Sequence, residues 1–172
     1  MAKDEIKITR LKEGEAIFES NGISNVKITK DGKVKTLVFS IRSTGVAELI
    51  DKYAERAPRP PVKNELVQAD SWMGRQMKLG KKQWVKILDT TDPDYVAAKE
   101  KHDQDLGMAI MLQGLDVELM DKNDKPVTDG EQQVKILKSL GMTTAQFMQI
   151  VRDIQDLTEW AERQETSFFD ES

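Results

Sequence analysis

Two runs of alternating apolar and polar residues meet at an Asp-Gly step in ISNVKITKDGKVKTLVFSIR, residues 23–42, and this pattern constrains the fold more than any other in the chain. Val26 and Ile28 alternate with polar neighbours, and residues 34–41 are rich in β-branched and aromatic side chains. Alternation of this kind sends successive side chains to opposite faces of a strand. Asp31-Gly32, between Lys30 and Lys33, tolerates the positive φ angles of a tight hairpin turn. A β-hairpin is expected over 23–42, and an earlier strand over 15–19 is expected to pair beside it.

Helical spacing takes over after the hairpin. Val46, Leu49, Ile50, Tyr53, Ala54 and Ala57 recur at the i, i+3, i+4, i+7 interval of one helical face. Ser43 or Thr44 can cap the start of this helix, and Pro58 stops it. APRPP, residues 57–61, is a stiff extended connector. The pattern is weak over 62–80. Residues 83–88 read as a strand with Trp84 on one side and Val85 on the other. TTDPDY opens a helix over 93–113 whose first half is polar. Asp129 with Gln132 forms a capping box for a short helix that ends at Gly141, and Thr143 with Gln146 repeats it. Phe147, Ile150, Val151, Ile154, Leu157 and Ala161 then make the apolar stripe of a last helix.

Strands early and helices late give an α+β fold: an N-terminal β-hairpin or small antiparallel sheet, followed by a mainly helical C-terminal part. The expected division is residues 1–61 (hairpin, helix and proline-rich connector) and residues 62–172 (mainly helical, with an acidic tail). A chain of 172 residues suits one domain or one domain with a helical extension. No stretch approaches the roughly 20 apolar residues of a membrane span. MAKDEIKITR is charged from its third residue and shows no secretory signal, so a cytoplasmic location is expected.

LDTTDPDYVAAKEKHDQD, residues 88–105, holds the only histidine and six carboxylates. Asp92 before Pro93 has a plain structural account as a helix cap, and Asp94 suits the positive end of the helix dipole. His102 has Ala98 four residues before it and Leu106 four after, not a second ligand at helical spacing. An EF-hand register from Asp121 puts Lys125 and Pro126 where a ligand and a glycine belong, and one from Asp92 puts Ala97 at the glycine position. There is no cysteine, no phosphate-cradling glycine loop and no nucleophile elbow. Neither catalytic, metal nor cofactor-binding residues are nominated, and a non-enzymatic protein is expected.

Charge is distributed unevenly although the net charge is only −4. SWMGRQMKLGKKQWVKIL, residues 71–88, carries Arg75, Lys78, Lys81, Lys82 and Lys86 with no acid, a local charge of +5. Trp72 and Trp84 flank it. Cations interleaved with aromatics can grip single-stranded nucleic acid. The plain alternative is a basic loop or twisted hairpin with its tryptophans packed inward, and the net negative charge also opposes nucleic acid. Residues 143–172 carry a local charge of −5, with Trp160, Phe168 and Phe169 in or beside them. Opposite charges at separate places can steer head-to-tail association of identical subunits, so a homo-oligomer is expected. Partner binding is assigned to Trp72, Trp84, Phe147, Ile154, Trp160, Phe168 and Phe169. Met108, Met111, Met120, Met142 and Met148 suit adaptable surfaces and cores alike.

The hairpin ending in VFSIRSTG, the helix, the PRPP connector and the DTTDPDY helix start resemble, in this order, phage and prophage tail assembly chaperones. LGMTTAQFMQI is similar in style to their helical C-terminal parts, and the resemblance spans residues 38–165 as an order of elements. It implies a non-enzymatic factor that binds tape-measure and tail-tube proteins during tail assembly in the host cell. No residue role transfers with it.

Overall fold

The computed structural model describes residues 8–10, 12, 13 and 20–167, with the side chains of 162–167 excepted. The strand expected over 15–19 lies outside the described residues, as do Phe168 and Phe169.

The hairpin forms as its turn chemistry requires. Strand β1 (Asn21–Lys30) pairs antiparallel with β2 (Lys33–Arg42) in a register that sets Val26 opposite Leu37 and Lys30 opposite Lys33. Asp31 and Gly32 take φ of 54° and 70°, the paired positive values of a two-residue turn that follows the strand twist. Helix α1 (Val46–Glu55) follows and ends before the proline-rich connector. Three elements then fill the stretch where the sequence pattern is weak and its end: strand β3 (Val62–Val67), the short helix α2 (Trp72–Gln76) and strand β4 (Gln83–Leu88). β3 and β4 pair antiparallel as a second two-stranded sheet. Helices α3 (Pro93–Gly114), α4 (Gly130–Ser139) and α5 (Thr144–Ser167) complete an α+β chain.

The caps read from sequence are in place. Asp92 Oδ1 accepts from the Tyr95 amide at 2.9 Å, and Asp129 Oδ2 from the Gln132 amide at 3.0 Å. Thr143 and Gln146 close a full box: the Gln146 amide donates to Thr143 Oγ1 and the Thr143 amide to Gln146 Oε1. Each such bond satisfies a helix-end N–H that has no partner within the helix.

Contacts group the chain into two compact units. The first comprises residues 1–49 and 109–172, the second residues 50–108, so the boundaries fall inside α1 and α3. In the first unit α5 packs on the inner face of β1–β2. Val26, Ile41, Ile110, Met111, Ile150, Val151 and Ile154 are buried there. Ser24, fully buried, donates to the Asp153 carboxylate at 2.5 Å and ties the sheet to α5. Each edge of this sheet is engaged over part of its length. Gln146 and Gln149 on α5 donate side-chain N–H groups to the carbonyls of Lys27 and Asn25 on β1. On the other side Leu115 bridges Ile41, and the Asp116 amide donates to Ser40 O at 2.8 Å.

The second unit has a thin core. Among its described residues Val67 is the one buried large hydrophobic, while Val62, Leu66, Trp72, Met77, Trp84, Leu88 and Val96 are exposed. No described helix is long and apolar enough to cross a membrane.

Candidate interaction surfaces

The histidine-bearing stretch resolves into the start of α3. Asp89 accepts from Thr91 Oγ1 at 2.7 Å, from the Thr91 amide at 3.1 Å and from Lys63 Nζ at 3.2 Å. These bonds, the Thr91 hydroxyl foremost, hold its carboxyl below the ordinary value. Asp92 caps the helix, and Asp103 pairs with Lys99 one turn away at 2.5 Å. His102 Nε2 lies 2.8 Å from the Tyr53 carbonyl oxygen, and its ring lies 5.7 Å from the Tyr53 ring. A carbonyl can only accept, so Nε2 carries a proton and donates. The same carbonyl also accepts from the Arg56 amide at 3.1 Å, so the ring adds a second bond to an oxygen in the last turn of α1. Among the described residues, no group of three or more His, Asp or Glu side chains is placed to hold a metal ion.

The acidic turn that mimics a calcium loop also folds on itself. Asp121 Oδ1 accepts from the amides of Asn123 at 2.7 Å and Lys125 at 3.0 Å, and the Asp121 amide donates to Lys125 O at 2.9 Å. The Lys125 and Asn123 bonds lower the Asp121 carboxyl from its ordinary 3.8. A folded value below the unfolded one means that the contribution is complete above about pH 4 and is lost as pH falls through the folded value. An NMR titration is expected to place the Asp121 midpoint below 3.8, with the Asn123 and Lys125 amide shifts following the same midpoint. A midpoint at or above that value would show that the turn does not form in solution.

The second hairpin carries an exposed apolar face with a tryptophan in it. The register sets Val62 opposite Leu88, Asn64 opposite Lys86 and Leu66 opposite Trp84. Residues directly opposite share a face of the sheet. All six are exposed, with Trp84 at 68% and Val62 at 62%. The other face holds Lys63, Glu65, Val85 and Ile87, half-buried, with Val67 buried. Lys63 is paired there with Asp89 and Glu65. The sheet thus turns Val67, Val85 and Ile87 inward and Trp84 outward, contrary to an arrangement with the tryptophans packed inside.

Between the strands, Ser71 caps α2 by accepting from the Gly74 amide at 3.0 Å. Trp72 follows it, 72% exposed. Arg75, Lys78, Lys81, Lys82 and Lys86 are all exposed, and no ion pair among the described residues engages them. This unit therefore joins exposed apolar surface to unpaired positive charge.

The remaining residues assigned to partner binding divide. Trp160 is 57% exposed beside a shallow groove of about 490 Å³ between β1 and α5, with Ile23, Leu157, Asp153 and Asp156. Phe147 is half-buried. Ile154 must be withdrawn from the binding set: it is fully buried, because the apolar stripe of α5 is spent on the sheet beneath it. Of the methionines, Met111 is fully buried, whereas Met120 and Met148 are exposed. The sequence reading missed Val62, Leu66 and Leu88. Val62 and Leu66 alternate with Lys63 and Glu65, but Asn64 and Val67 break the pattern and Leu88 follows apolar Ile87, so the face emerges only once β3 and β4 are paired.

Compared with protein families, curated proteins and solved structures, the chain matches none.

Proposed function

We propose that the protein is a non-enzymatic assembly factor that holds another polypeptide against the outward face of the β3–β4 hairpin. The observation that carries this reading is the exposure of Val62, Leu66, Trp84 and Leu88 on one side of a two-stranded sheet. An uncovered apolar patch in a water-soluble unit costs hydration free energy, and such patches mark binding surfaces. Tryptophan, here paired with Leu66 on one side of the Asn64–Lys86 pair, is among the side chains enriched at interface hot spots. The resemblance to phage tail assembly chaperones supplies the class of client: tape-measure and tail-tube proteins, met in the host cytoplasm. Within the first unit, exposed Met120 and Met148 and the groove beside Trp160 are adaptable surface of their own.

Light scattering of a long amphipathic helical client provides the test. The protein is expected to suppress client aggregation, and the pair Leu66→Ala and Trp84→Ala to weaken that effect at least tenfold. Hot-spot truncations cost about 2 kcal/mol or more, and about 1.4 kcal/mol is a factor of ten. Suppression unchanged in this variant would sink the assignment of the face. A second reading has one observation in its favour, the five exposed cations beside exposed Trp72 and Trp84, which suit single-stranded nucleic acid. A salt-dependent gel shift lost in Lys81→Glu with Lys82→Glu would favour that reading over a polypeptide client.

A further inference from the structure

We infer that, before a client arrives, the outward face of β3–β4 is covered by the acidic, aromatic C-terminal segment of a second copy of this chain. The inference rests on the reading that this face binds polypeptides, and it names both the competing occupant and a means of control.

Charge complementarity selects the occupant. Residues 71–88 contain five cations and no acid, and all five are exposed. A ligand for the adjoining apolar face must therefore tolerate, and gains from, negative charge. Residues 162–172, ERQETSFFDES, carry four acids against one arginine and hold the chain's one Phe-Phe pair. The adjacent aromatics supply apolar surface for one cross-strand pair of the face, Leu66–Trp84, the pair nearest in sequence to Lys81 and Lys82. Asp170 and Glu171 immediately after them match Lys81, Lys82 and Lys86. Phe168 directly follows the last residue of α5.

Donor and acceptor are different surfaces of the same chain, so the contact between copies is head-to-tail. Such contacts add subunits one after another unless the geometry closes a ring. Association should then grow with concentration and weaken with salt, since exposed charges are screened over about 3 Å at 1 M salt. A client that reaches the apolar face displaces the tail and ends the self-association.

Sedimentation velocity across a concentration series tests this directly. The full chain is expected to gain mass with concentration at low salt and to lose that gain in about 1 M salt. Truncation after Ser167 should leave a monomer, and Phe168→Ala with Phe169→Ala should weaken association at least tenfold. Lys81→Glu with Lys82→Glu should do the same and be rescued by Asp170→Lys with Glu171→Lys in the same chain. That rescue distinguishes pairing from misfolding. Mass that grows equally after truncation, or a full chain that stays monomeric at every concentration, overturns the inference. The client assay separates the two ideas. A truncated chain that still suppresses client aggregation leaves the polypeptide-binding reading standing while the tail fails its own test. Loss of suppression in Leu66→Ala with Trp84→Ala but unchanged self-association rejects the shared face alone.

Discussion

Replacing Ile154 by alanine is expected to lower the unfolding free energy by about 2–5 kcal/mol, the range for large aliphatic side chains deleted from packed cores. Ile154 is fully buried, and its side chain fits against Gly114 at the end of α3. A Cβ at residue 114 would stand 2.3 Å from Ile154 Cγ2 and 2.9 Å from Cδ1, so the two positions share one space. Gly114→Ala alone should cost about 1–3 kcal/mol by overpacking. The double variant should cost clearly less than the sum, because the alanine at 154 lacks the atoms that clash. Urea melts of the four proteins measure the coupling. Simple additivity would show that α3 and α5 do not meet at this point.

Gly74→Ala is the second large effect. A Cβ there would lie 2.0 Å from the carbonyl oxygen of Gln68 and 2.8 Å from that of Ala69. Both are backbone atoms, so no rotamer change relieves the contact and the turn ahead of α2 must move. The cost is expected near or above about 3 kcal/mol, the upper end for inserted volume. It falls on a unit with Val67 as its buried large hydrophobic, which has little packing energy to absorb it. Hydrogen exchange is expected to show lost amide protection in β3 and β4 with protection kept in α5. On the proposed reading, suppression of client aggregation should fall in parallel. Unchanged protection over Val62–Leu88 would show that the tight turn is not as described.

These contrasts explain what could be read before the coordinates. The first hairpin was legible because Asp31-Gly32 and its flanking alternation are local, and the caps at Asp92, Asp129 and Thr143 are local too, each spanning three residues. β3 was not. VKNELV mixes polar and apolar residues at both parities, and only pairing with β4, 21 residues further on, shows which side is which. The stripe on α5 revealed a face but not its cover, so Ile154 looked as available as Trp160. Likewise the unit of residues 50–108 depends on distant partners such as His102 and Tyr53, 49 positions apart. Nothing in a window of sequence announces such a pair.

The two glutamines of α5 that reach the carbonyls of Asn25 and Lys27 have a bearing on crowded surroundings. A bare strand margin is a template on which other extended chains grow. Here the two contacts on that margin are made by neutral amides, so acidification does not discharge them and added electrolyte does not shield them. Two of the outward carbonyls of β1 are thus closed to an incoming extended chain at any pH or salt concentration at which the helix stays folded.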